Sequence, residues 1–173
     1  MNTVTFTGIA TGLSLAVFLL EWTYNRIVEK RSTKWQMFKW PLLVFYLVMV
    51  LQIAFFSREP GSRDSIDLQL LGTWGTTAQA HAWVIENVLM FVPFGVLVPV
   101  CVKYARKLPM TVLLALVCSA GLEYAQFLTQ RGHCQLDDVV MNVVGGIIGW
   151  ILWRGGRIWV GTGDAGSKWR SNI

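Results

Sequence analysis

Charge is scarce in this chain. Asp, Glu, Lys and Arg make up 14% of its 173 residues, where a soluble domain carries about a quarter. Hydrophobic residues reach 54% and the mean hydropathy is +0.48. A single core in a domain of this length cannot hide so much apolar surface, so the excess must face lipid. Cysteine is also sparse. Cys101, Cys118 and Cys134 fall in three separate segments with no CxxC and no Cys/His metal-ligand spacing, which excludes a disulfide framework and a zinc module. They read as unpaired thiols. The two histidines, His81 and His133, read as interfacial or solvated groups, so no metal site is expected. Lys and Arg are missing from residues 1–20, and no clear small-residue cleavage site is seen, so no signal peptide is expected. The first apolar stretch is therefore expected to remain as a span. No Ser, Cys or His stands in a nucleophile motif, and no repeat, low-complexity run or second domain is visible.

What is present is length. A helix needs about 20 mostly apolar residues to cross the hydrocarbon core. Five stretches qualify within a few residues: 4–24, 38–56, 82–104, 109–128 and 138–160. They predict an all-α integral membrane protein, residues 1–173 forming one transmembrane domain of about five helices. Pro41 and Pro109 stand at first turns, where the missing N–H is harmless, whereas Pro93 and Pro99 lie inside the third run and predict a kink. The pI near 9.4 is no nucleic-acid signal, because the basic residues flank apolar runs in short clusters. Twelve of the fifteen lie in the connection from Arg26 to Lys39, in the one from Lys103 to Lys107, and in the tail from Arg154 onward. The opposite side holds only Arg58, Arg63 and Arg131. Positive charge marks the cytoplasmic side, so five spans place the N-terminus outside and the C-terminus inside. Trp22, Trp35, Trp40, Trp83, Trp153 and Trp159 lie near the span ends, an interface-belt pattern unlike a base-stacking surface. For residues 57–79, an interfacial helix and a solvated loop are both open.

Ionisable groups inside spans cost about 2.5–3.5 kcal/mol each on insertion scales and need a reason. Here they share one depth. The third span enters from outside with Glu86 and Asn87, and the fourth leaves with Glu123 about 9 Å below Thr129 at 1.5 Å per residue. Gln126 shares its face. Beyond the turn carrying Arg131, His133, Asp137 and Asp138, the fifth span sets Asp138, Asn142, Gly145 and Gly149 on one stripe. The glycines allow close packing, as Gly8 and Gly12 do in the first span, and bring Asn142 toward Glu123 and Gln126. Glu86, Asn87, Glu123, Gln126, Asp138 and Asn142 are thus expected to line an outward-opening polar pocket, with Arg131 as a further ligand-binding residue of it. Each carboxamide also fits plain interhelical hydrogen bonding, and Glu123 also fits an ion pair with Arg131. Glu21, near the inner end of the first span, reads as snorkelling or paired with Arg26.

The strings NVLMFVPFG at 87–95 and GLEYAQFLTQRGHCQLDDVVMNVVGGIIG at 121–149 resemble the VanZ-like family of small bacterial membrane proteins. The match runs through Asn87, Phe91, Pro93, Gly95, Glu123, Gln126, Arg131, Asp137, Asp138, Asn142, Gly145 and Gly149 and covers roughly residues 81–150; the first two spans show no motif. The resemblance implies a multi-pass protein of the bacterial cytoplasmic membrane. It also implies a part in the cell envelope, in teicoplanin-type glycopeptide resistance or in exopolysaccharide handling, with no agreed reaction, cofactor or catalytic residue.

Two functions then compete. In one, the pocket binds an amphiphile, a glycopeptide lipid tail or a polyprenyl-linked wall or polysaccharide precursor. The outer side's formal charge of −4, seven carboxylates against three Arg, favours a cationic or metal-bridged ligand, and only Arg131 is placed to hold a phosphate. In the other, an intramembrane enzyme uses Glu123 with Asp137 or Asp138 as an acid/base pair on a lipid-linked substrate, with a divalent cation as an optional cofactor. The enzyme reading is the weaker for want of a nucleophile. A transporter reading needs polar residues through the inner leaflet, where the spans are almost wholly apolar.

Overall fold

Hydrocarbon offers the backbone no hydrogen-bond partners, so a chain that enters it must satisfy its own N–H and C=O groups, and helices do this within one segment. The computed structural model describes residues 3–24, 38–56, 66–67, 78–131 and 134–170, and there the apolar runs are helical. They form α1 (Thr3–Tyr24), α2 (Lys39–Leu51, continued by a π-helical turn at Gln52–Phe56), α3 (Ala78–Cys101), α4 (Leu108–Leu128) and α5 (Leu136–Arg170). Among the described residues, His81–Cys101, Leu108–Leu128 and Leu136–Arg157 are long and apolar enough to cross a membrane; Lys39–Phe55 is a shorter apolar helix. Large side chains such as Leu20, Leu89, Leu128 and Leu152 are exposed, a surface suited to lipid and costly in water. The protein is an α-helical membrane protein.

The ends differ from the expected spans for local reasons. α3 runs unbroken through Pro93 but stops at Cys101. Pro99 removes an N–H two residues earlier, and Val102 turns extended before a 3-10 turn at Lys103–Arg106. α5 continues to Arg170, past the apolar limit, because hydropathy marks where lipid ends and not where backbone hydrogen bonds end. Of 57–79 the described residues are Ile66–Asp67, which pair in parallel with Cys134–Gln135 and are not helical, and 78–79, which belong to α3. That pairing ties the α2–α3 connection to the α4–α5 turn.

The core gathers Leu43 and Val50 of α2, Phe91, Phe94 and Val98 of α3, Ala105, and Ala115 of α4. The rings of Phe91 and Phe94 lie 5.4 Å apart. α3 and α5 pack backbone on backbone. A Cβ at Gly145 would overlap the Val88 carbonyl, one at Gly149 the Val92 carbonyl, and one at Gly95 the Gly146 carbonyl. Only hydrogen fits at these three positions. Gly146 faces α4, where an added Cβ would lie 3.1 Å from Ala115 Cβ.

Two expectations fail here. Gly8 and Gly12 are exposed, and a Cβ on either meets nothing within 4 Å, so they form no seam among the described residues. Trp153, read as an interface residue, is buried, with the Arg157 guanidinium 5.3 Å from its ring centroid. Arg26, Trp35 and His133 lie outside the described residues.

Candidate functional site

α4 buries Thr111, Ala115, Ser119, Glu123 and Gln126. Their spacing of four, four, four and three is one helical face, and its upper half is polar. The helix ends at this face in a Schellman arrangement. The Gln130 N–H donates to Phe127 O at 3.1 Å and the Arg131 N–H to Gln126 O at 2.9 Å. Gln130 takes a φ of 52°, left-handed backbone in a residue other than glycine. The turn sends the chain back over the helix, and the Gln135 N–H donates to Glu123 Oε2 at 3.1 Å.

A cavity of about 290 Å³ lies between the first turns of α3, the last turns of α4 and the first turns of α5. It is lined by Glu86, Asn87, Glu123, Gln126 and Asn142 together with Ile53, Ala54, Trp83, Met90 and Leu122. Five polar residues singled out in the sequence therefore share one space. The other two do not line it. Asp138 stands behind the wall, where its Oδ1 accepts from Asn87 Nδ2 at 2.7 Å. Arg131 sits at the exit of α4, with its guanidinium 5.1 Å from the Phe55 ring centroid. Asp137 is buried beside Asp138 and likewise outside the lining.

Each carboxamide is fixed by its nitrogen. Gln126 Nε2 donates to Ala54 O at 2.6 Å, and Asn142 Nδ2 donates to Ser119 Oγ at 2.8 Å. Asn142 is 2% exposed, and its Oδ1 is buried without a hydrogen-bond partner among the described residues. The site is held in shape by hydrogen bonds between four helical segments, and such bonds hold most firmly where no water competes for them.

The sequence reading missed several of the groups that hold it. Ser119 lies four residues before Glu123 on the same face, a readable spacing. The π-helical turn at Gln52–Phe56 places the Ala54 carbonyl where Gln126 reaches it, and nothing in QIAFF announces it. Tyr46, whose hydroxyl donates to Met90 O at 2.8 Å, ties α2 to α3 behind the cavity. Among the described residues no group of three or more His, Cys, Asp and Glu side chains is placed to hold a metal ion.

The chain is similar to Protein VanZ of Enterococcus faecium, with 30% identity over 115 residues, 62% of this chain and 68% of that protein. No solved structure matches it. The VanZ/LLP1 family model matches residues 42–160. The family region therefore begins in α2, well before the expected start near residue 81, because an apolar span offers no polar landmark to read. With a match over more than half of its length, the chain belongs to the VanZ/LLP1 family.

Proposed function

We propose that the protein is a multi-pass component of the bacterial cytoplasmic membrane, with five spans, its N-terminus outside and its C-terminus in the cytoplasm. In this reading the cavity opens outward and takes the headgroup of an amphiphile: a lipid-tailed glycopeptide of the teicoplanin type or a polyprenyl-linked envelope precursor. The observation that carries it is the convergence of five polar side chains from three helices in one space, between the apolar walls of Ile53, Trp83, Met90 and Leu122. Convergent polar groups in an apolar cleft are the usual form of a ligand site. Volume limits what enters. About 290 Å³ is room for a headgroup and not for a whole glycopeptide.

The orientation is tested by cysteines introduced in a Cys-free background. At Ser65 and Thr77 they react with an impermeant thiol reagent in intact cells, and at Ser32 and Ser167 they do not; labelling of the Ser167 variant in sealed cells overturns the topology. The function is tested in a glycopeptide-susceptible host, where the chain protects against a glycopeptide bearing a lipid tail and gives less protection against one without it. Equal protection against both removes amphiphile recognition from the account.

A further inference from the structure

We infer that the end of the bundle opposite the cavity binds the phosphodiester headgroup of an anionic phospholipid. The site is separate from the cavity and depends neither on its ligand nor on the orientation of the chain. Five cations belong to it: Lys103, Arg106 and Lys107 between α3 and α4, and Arg154 and Arg157 on α5. All five are exposed. Residues 88–122 and 139–163, the stretches that carry them, contain no Asp or Glu, so these segments bring five positive charges and no carboxylate of their own.

Helix packing brings the five to one depth. Gly145 lies against Val88 and Gly149 against Val92, so α3 and α5 run side by side in the same direction. The same offset sets Arg154 level with Leu97 and Arg157 level with Val100, in the last turns before α3 ends at Cys101. α4 runs the other way, with Ala115 facing Gly146. Eight residues from that contact, about 12 Å at 1.5 Å per residue, lie Lys107 on one side and Arg154 on the other. The cations thus share a band of about two helical turns. Glu21 of α1 stands at this end too, within electrostatic reach of Lys39 and Cys101, and together with Lys39 it adds no net charge.

What surrounds the band selects a lipid over a soluble anion. Val100, Tyr104, Ile151 and Leu152 are exposed at the same level, a surface suited to acyl chains. Aromatic rings support three of the cations, as at a lipid–water boundary. Lys103 Nζ stands 5.1 Å from the ring centroid of Tyr104, Arg154 Cζ 6.0 Å from that of Trp150 and Arg157 Cζ 5.3 Å from that of Trp153. A guanidinium over a ring spends its face on the ring and keeps its N–H edge for a phosphate, whose two unesterified oxygens match the fork. Basic clusters of this kind beside membrane helices take anionic headgroups. A zwitterionic lipid offers the same phosphate, but the band repels its cation. A free phosphate ester would meet the charges and leave the apolar flank uncovered.

The test places the full chain in phosphatidylcholine nanodiscs with a trace of phosphatidylglycerol or phosphatidylcholine, each bearing the same diazirine near the glycerol end of one acyl chain. After irradiation, labelling is read on peptides containing Val100 to Tyr104 and Ile151 to Leu152, and at the cavity end on those containing Ile85 to Leu89. At the basic end the phosphatidylglycerol probe labels about tenfold more than the phosphatidylcholine probe, a preference that two cations at a membrane surface support. At the cavity end it shows no such excess. Arg154→Gln with Arg157→Gln brings the ratio near one, and Lys103→Gln with Lys107→Gln gives the same answer should the arginine pair fail to fold. Equal labelling by the two probes, or a preference unchanged in both variants, overturns the site. So does an excess of the same size at the cavity end, which would mean diffuse attraction. Loss of the preference on adding millimolar glycerol 3-phosphate overturns the lipid assignment, because the band would then take a free phosphate ester.

Discussion

Gly8 and Gly12 in α1 have the same spacing as Gly145 and Gly149 in α5, yet their surroundings are opposite. A Cβ at Gly145 or Gly149 would run into the carbonyls of Val88 or Val92, whereas one at Gly8 or Gly12 meets nothing within 4 Å among the described residues. The two pairs read alike because a glycine pair four apart gives any helix a flat strip. Whether another backbone lies on the strip depends on the partner's own sequence. α3 supplies that partner with Gly95, itself pressed against the Gly146 carbonyl, so the α3–α5 seam is reciprocal. Seam and cavity are also linked, since Asn142 sits three residues before Gly145 on the face that the seam fixes against α3 and α4.

Substitutions can break this contrast. Gly149→Leu or Gly145→Leu forces a branched side chain into a backbone carbonyl and is expected to cost about 3 kcal/mol or more, at or above the usual range for overpacking. It would be seen as a collapse of folded protein in size-exclusion profiles of detergent extracts. Normal abundance of either variant would show that the seam is not closed. Next in size is Gln126→Ala, which leaves the Ala54 carbonyl without its donor and is expected to cost about 1–3 kcal/mol in thermal unfolding. Gln130→Gly should act in the opposite direction. It relieves left-handed backbone at φ 52° and is expected to add about 1 kcal/mol of stability. Smallest of all, Gly8→Leu and Gly12→Leu are expected to stay within about 0.5 kcal/mol of the parent. A loss there comparable to that at Gly149 would reveal a partner for α1 and end the contrast.

The helices were legible because a lipid-facing span must be apolar along its length, and α1, α2, α4 and α5 begin within about three residues of their expected starts. The depth of the polar residues was legible too, since an isolated Glu123 or Asn142 stands out in apolar sequence. Two things were not. Asp138 and Arg131 were expected in the same space as Glu123, but sequence gives depth and helical face, not which side chain stands in front. Asp138 spends its oxygen on Asn87 behind the wall, and Arg131 leaves with the turn after α4. The second gap was α2. Its contribution passes through the main-chain carbonyl of Ala54 in a π-helical turn, and the identity of a residue says little about where its carbonyl points.

The account turns on whether Glu123 serves the cavity or merely balances the cation of Arg131. Glu123→Gln, alone and together with Arg131→Gln, separates the two when abundance in the membrane, thermal stability and glycopeptide susceptibility are measured on the same cells. Gln keeps the size of the side chain and can still accept from the Gln135 N–H, so the cavity account predicts a folded, abundant protein that gives no protection, in the single and the double variant alike. A double variant that regains the protection lost by the single one would contradict it, because restoring charge balance would then be all that Glu123 is needed for.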